Sequence, residues 1–188
     1  MKKANLITPE FRVSFPFLFT PQKPMQANAK EKYSVVMLFP KEADLTLLKD
    51  AVLKLIVERY GADKAKWPTL RTPFRDQGDR KLEGYTPGAI FMTASSIMLP
   101  GVVDHALQPI LDPAQIYAGC YARASVQPFL YEARADGGSI MNRGVSFGLQ
   151  NVQKLRDGEP LGGRRPADMD FTPVASGKAA SLADLMAG

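Results

Sequence analysis

Cysteine and histidine are almost missing from this chain. Cys120 and His105 are each the only one of their kind among 188 residues. A single thiol excludes an internal disulfide framework, and with one imidazole it leaves no Cys- or His-based zinc set. No run of 18 apolar residues occurs, so no transmembrane helix is expected. The opening MKKANLITPEFRVSF has two lysines but no apolar core, so it is not expected to be a secretory signal. Charge is modest: 23% of residues are charged and the net charge is +5, which permits a nucleic-acid partner without demonstrating one.

What is present is ordinary apolar content, 45%, broken by 15 glycines and 15 prolines. That mixture suggests many turns and short strands. The length fits one domain, and a chain of this size buries roughly 70% of its unfolded surface without help from metal or disulfide.

Residues 11–19 read FRVSFPFLF. Phe11, Val13, Phe15, Phe17 and Phe19 recur at period two, the mark of a strand with one face in a core. Pro16 places it at an edge or a bulge. Residues 20–31 read as a loop. KYSVVMLF (32–39) is apolar on both faces and reads as a strand covered on both sides. From 44 to 60 the period changes: Leu48, Ala51, Val52, Leu55 and Ile56 predict an amphipathic helix, which Gly61 terminates. Residues 62–88 have no sustained period. They form a long basic excursion with six cations against four carboxylates, net +2, and carry the only tryptophan, Trp67. Further strands are predicted at 89–95, 116–131 and 143–155, the last two separated by a GG turn at 137–138. Five strands, one helix and long connections fit a mainly β chain with one or two helices, an OB-fold five-stranded Greek-key barrel with long insertions. Periodicity alone does not separate it from other small barrels. The domain is expected over 1–172, with a flexible C-terminal tail at 173–188.

Parity within 117–131 is informative. The even positions Ala118, Cys120, Ala122, Ala124, Val126, Pro128 and Leu130 are small or apolar and suit a crowded barrel interior. The odd positions interleave Tyr117, Tyr121, Phe129 and Tyr131 with Arg123, Ser125 and Gln127. On a single-strand-binding surface such rings stack on bases and the guanidinium pairs with phosphate. The same rings would equally serve to cover a layer of loops or a partner chain. The basic excursion invites two readings as well: a cover for a bound strand, or a solvated loop with Trp67 tucked into the core.

Other candidates carry less. Cys120 lies on the small apolar face, where a cysteine is inert packing, and no residue orients His105 beside it. Asp76, Asp79 and Glu83 match no complete EF-hand loop and are diluted by Arg75, Arg80 and Lys81. GEPLGGRRP (158–166) lacks the GK[ST] ending of a phosphate loop and reads as a turn. No metal and no cofactor is expected.

From Tyr117 onward the sequence resembles a family of bacteriophage and prophage single-stranded-DNA-binding proteins. The resemblance rests on YAGCY (117–121), GVSFGLQNVQK (144–154) and RDGEPL (156–161), with KYSVVMLFPKE (32–42), PFRDQGD (73–79) and FMTASS (91–96) upstream. It spans about residues 10–172. It implies an OB-fold protein without catalysis that coats single-stranded DNA during phage replication or recombination, in the cytoplasm of the infected or lysogenic host. It transfers no individual DNA contact. The candidate site therefore rests on the strand face and its basic surroundings: Trp67, Arg71, Arg75, Arg80, Tyr117, Tyr121, Arg123, Phe129, Tyr131, Arg143 and Lys154. The tail 167–188, net −2, is only mildly acidic, and its SLADLM segment is a candidate contact for phage or host replication and recombination proteins. A reading from another class is an OB-like protein–protein assembly module of a phage, with the aromatic face as the interface, for instance of a homodimer. A metal-dependent nuclease is a third.

Overall fold

Inward apolar side chains at every second position set the long strands. The computed structural model describes residues 5–23, 30–135, 138–162 and 172. In chain order these form β1 (Leu6–Ile7), β2 (Phe11–Gln22), β3 (Lys32–Leu38), helix α1 (Thr46–Tyr60), β4 (Arg75–Asp76), β5 (Ile90–Ser96), β6 (Gly101–Val103), β7 (Tyr121–Arg134) and β8 (Ile140–Arg156), with short 3-10 turns between. The GG turn expected at 137–138 falls partly, and the tail at 173–188 entirely, outside the described residues.

Five strands close on themselves. β2 pairs with β3 and β3 with β5, both antiparallel. β5 runs parallel to β8, β8 antiparallel to β7, and β7 antiparallel to β2. The ring is the OB-type barrel expected from the strand count, with β1, β4 and β6 added at its edges. Its core holds Phe11, Val13, Leu18, Val35, Met37, Met92, Ala94, Phe147 and Leu149, with Cys120, Ala122 and Ala124 as the small residues opposite. Each large apolar side chain so buried contributes roughly 1.5–3 kcal/mol. α1 lies beside β7 with Leu48 and Val52 buried and Leu55 and Ile56 packed against the core. Gly61, at φ 83°, ends the helix.

The structure corrects the sequence reading in three places. β2 does not keep one parity. Its register shifts between Ser14 and Phe17, Phe15 takes φ 45° and stands 43% exposed, and Leu18 rather than Phe17 is buried beyond the bulge. β7 begins at Tyr121 rather than 116, because Gly119 turns at φ 118° directly beneath the backbone of Glu159 and Pro160. The excursion 62–88 is not solvated throughout: residues 62–66, 81–84 and 86–88 stand exposed, but 71–76 are bonded into the barrel. Arg71 donates its N–H to the Arg143 carbonyl (2.9 Å) and accepts from the Val145 N–H (3.0 Å). Four residues later Arg75 and Asp76 pair with β5. Between them Pro73 is buried and Phe74 packs edge-on to Phe147, 6.0 Å between centroids. The segment 71–76 is a strap that completes the barrel wall.

Gly144 makes that crossing feasible. A Cβ there would fall onto the carbonyl oxygen of Arg71, with the Arg71 Cβ 2.9 Å away. Gly144→Ala is therefore expected to destabilise the protein by about 1–3 kcal/mol, read as a shift in the urea midpoint. An unchanged midpoint would remove the strap from the wall.

Candidate nucleic-acid interface

The outer faces of β3 and β5 divide into a covered half and an open half. On the covered half Val36, Leu38 and Phe91 form a small second core, closed by Tyr85 and Leu161. The Tyr85 hydroxyl lies 3.1 Å from Ser14 Oγ and its ring meets Phe91 edge-on. The guanidiniums of Arg75 and Arg80 lie over the same Phe91 ring, at 5.3 and 4.9 Å from its centroid. This explains why 32–39 is apolar on both faces.

The open half is a groove of ≈ 360 Å³, whose lining includes Lys32, Thr72, Arg75, Thr93, Ser95, Phe129, Tyr131 and Ser146. Its floor comes from outward positions of β5 and β8, one wall from the strap, and the other from the rings of β7. Gly148 leaves space under Phe129, whose ring atom Cδ1 would sit 4.0 Å from a Cβ at that position. Phe129 stays 42% exposed although it lies on a long strand. Among the described residues Lys32, Arg71, Arg75 and Arg143 form no ion pair. The groove therefore offers ring faces, hydroxyls and cations with no carboxylate among its described lining residues.

The residues expected from sequence are thus distributed over separate places. Arg75, Phe129 and Tyr131 line the groove. Arg71 and Arg143 meet through their backbones beside it, and Arg80 shares the Phe91 ring with Arg75. Tyr121 lies elsewhere, its face covered by the Arg156 guanidinium at 3.5 Å, which is held in turn by Glu10 at 2.6 Å. Tyr117 donates to Asp157 and to the Gly158 carbonyl, both at 3.0 Å, and Lys154 lies over its ring at 5.5 Å. Arg123 donates to Gln153 Oε1 at 2.8 Å, and Gln153 reaches the carbonyl of Asp104. Trp67 is half-buried at the end of α1, donating its indole N–H to the Gly61 carbonyl at 2.8 Å.

Lys32, Thr72, Thr93, Ser95 and Ser146 were not among the expected site residues. The alternation in IFMTASS was the available signal, since it puts Phe91, Thr93 and Ser95 on one face. Cys120 is fully buried and burial pushes its thiol pKa up, so it is inert packing. Among the described residues no group of three or more metal-ligating side chains occurs, and no helix is long and apolar enough to cross a membrane.

The closed five-stranded barrel is of the OB class, a fold whose members include single-strand nucleic-acid binders. Within that class the chain belongs to the phage family described as Enterobacter phage Enc34, ssDNA-binding protein, whose family model matches residues 4–182. It is similar to the putative protein p50 of Acyrthosiphon pisum secondary endosymbiont phage 1, 27% identical over 85% of this chain and 87% of that protein. Its fold matches the single-stranded DNA-binding protein from bacteriophage Enc34 in complex with ssDNA. The TM-score there is 0.66 at 20% identity, over 86% of this chain and 91% of that one. The fold also matches gp2.5, a single-stranded DNA binding protein encoded by bacteriophage T7. That TM-score is 0.60 at 17% identity, over 85% and 95% of the two chains.

The far end of the barrel carries a clasp that titrates. The Lys154 ammonium, 2.6 Å away, and then the Tyr117 hydroxyl hold the Asp157 carboxyl below the usual carboxylate range. A lowered pKa stabilises the fold above the ordinary carboxylate range, and the contribution is lost as pH falls through the depressed value. Asp157 is largely exposed, so Asp157→Asn is expected to cost no more than about 1 kcal/mol at pH 7. The difference from the unsubstituted protein should shrink as acid protonates the carboxyl, as checked by urea denaturation at pH 7 and at a series of pH values descending below the ordinary carboxylate range. A difference that persists in acid would remove the ionised carboxylate as its cause.

Proposed function

We propose that this chain coats and protects single-stranded DNA without regard to sequence, in phage DNA replication or recombination, by drawing the strand through the groove between the strap and β7. Membership of the Enc34 family supports single-strand binding, and one observation supports this location. Phe129 stands exposed and Tyr131 half-buried beside Lys32 and Arg75, with no cation of the described residues over either ring, whereas the rings of Tyr117 and Tyr121 are already engaged by the chain's own cations. Phosphates pair with Lys32 and Arg75, and with Arg71 and Arg143 alongside, releasing counterions. Bases stack on Phe129 and Tyr131, a contact every base can make. Thr93, Ser95 and Ser146 add hydroxyls that rotate to donate or accept, so they tolerate any base edge. A duplex is disfavoured because its base faces are already stacked. The role is binding without catalysis, it acts inside the bacterial host, and protein partners engage the segment beyond residue 172.

The test is fluorescence anisotropy of a labelled ~30-nucleotide oligo-dT and of its duplex across a salt series. Affinity is expected to favour the single strand and to fall with salt by about 0.7 log units per phosphate neutralised. Phe129→Ala and Tyr131→Ala should each cost roughly 1–3 kcal/mol of binding. Tyr121→Ala should leave affinity nearly unchanged. No binding at low salt, with a stable oligomer burying Phe129 and Tyr131, would replace this reading by the assembly-module one. Loss at Tyr121 but not at Phe129 would move the site to the far end of the barrel.

A further inference from the structure

We infer that Gln77 is a positioning residue of the DNA groove, holding the end of the strap so that Arg75 and Arg80 stay stacked on Phe91 with their charges available to phosphate. The inference rests on the groove proposed above and concerns what prepares it. Gln77 is one of the few buried polar residues, at 2% exposure. Its side-chain amide uses both donors and its acceptor. Nε2 donates to the carbonyls of Phe39 and Ile90, each at 2.8 Å, and Oε1 accepts from the Thr86 N–H at 2.9 Å. One side chain therefore ties together the end of β3, the start of β5 and the return of the excursion. Its backbone adds to this: the N–H donates to the Ala89 carbonyl (2.8 Å) and the carbonyl accepts from the Arg80 N–H (3.1 Å).

Asp76 holds the same segment from the solvent side. Its carboxylate accepts from the N–H groups of Gly78 at 2.6 Å and Gly88 at 3.0 Å, and these bonds, Gly88 first, lower its pKa. The two anchors lie between Arg75 and Arg80 in sequence. Both arginines rest on one Phe91 ring, which is itself only 1% exposed. Two guanidiniums resting on one ring carry like charge, and flexible arginines lose rotamer freedom when they bind phosphate. A backbone pinned on both sides meets those costs in the fold, before DNA arrives. A glutamine that merely satisfied stray carbonyls would affect stability and nothing else. A positioning glutamine also changes how many phosphates the protein engages.

The experiment uses the full chain and its Gln77→Ala, Asp76→Ala, Arg75→Ala and Gln77→Ala/Arg75→Ala variants. Each is measured by oligo-dT anisotropy over a salt series and by thermal melting. Gln77→Ala is expected to remain folded, to bind roughly tenfold or more weakly, and to show a salt slope shallower by about 0.7 or more. In the double variant, removing Arg75 should add little to the effect of Gln77→Ala. Asp76→Ala, which removes no buried group, should shift the slope in the same direction, and it decides the matter if Gln77→Ala fails to fold. A folded Gln77→Ala protein with the parent's salt slope, or losses that simply add in the double variant, would overturn the inference. Absence of oligo-dT binding by the unsubstituted chain would overturn the groove itself, an outcome distinct from normal binding with unmoved slopes in the variants.

Discussion

Closure of the barrel depends on a pairing too short to close it alone. β5 and β8 run parallel and share only the Ala94–Phe147 and Ser95–Gly148 positions. Toward their N-terminal ends they diverge, and the wall between them would leave unpaired backbone and an opening into the core. The strap fills that space. It bonds to β8 at one end and to β5 at the other, and inserts Phe74 against Phe147 in between. Backbone groups in such a gap need partners, and the strap supplies them at both margins. Its path is fixed by the missing side chain of Gly144, so one glycine governs both the integrity of the wall and the position of one side of the groove.

The same closure explains the chemistry of the groove. Residues on the strap are held by the sheet rather than by a free loop, so Thr72 and Arg75 face the floor of β5 and β8 from a defined height. Preorganised cations lose less on binding than mobile ones. At the opposite end of the barrel, aromatic rings and cations are just as abundant, yet they satisfy each other. Arg156 covers Tyr121 and pairs with Glu10, Lys154 covers Tyr117 and pairs with Asp157, and Arg12 reaches the Glu159 carbonyl at 2.6 Å. These contacts fasten residues 157–162 across the barrel and lead Leu161 to the second core over Phe91. Composition is alike at the two ends, and the difference lies in which charges are already spoken for.

The segments that carry the family resemblance do different physical work. YAGCY and RDGEPL meet each other in the clasp, where Gly119 lies under Glu159 and Pro160. PFRDQGD is the strap with its Asp76 and Gln77 anchors. FMTASS and GVSFGLQ supply the floor of the groove and, on their inward side, Met92, Ala94 and Phe147 of the core. Motifs recognised as strings of letters thus resolve into a clasp, a wall and a floor.

Much of the fold was legible in the residues themselves. An apolar run placed β3, period two placed β7 and β8, period 3.6 placed α1, and parity in 120–126 separated the buried Cys120, Ala122, Ala124 and Val126 from the exposed Arg123. These are local properties, set by the alternation of side chains along one segment, so the sequence alone determined them. Parity failed in β2, where a bulge at Phe15 and Pro16 inserts a residue. In β8 a skipped position at Gln150 moves the inward set from Leu149 to Val152. Only the tertiary structure decided which rings are free, because that depends on partners 30 to 146 positions away in the chain, such as Gln153 for Arg123 and Glu10 for Arg156. The strap, too, was invisible, since residues 71–76 have no period of their own and take their extended form from the two strands they join. Local pattern fixes which residues form a strand, and the pairing of distant segments fixes which of their side chains remain for a ligand.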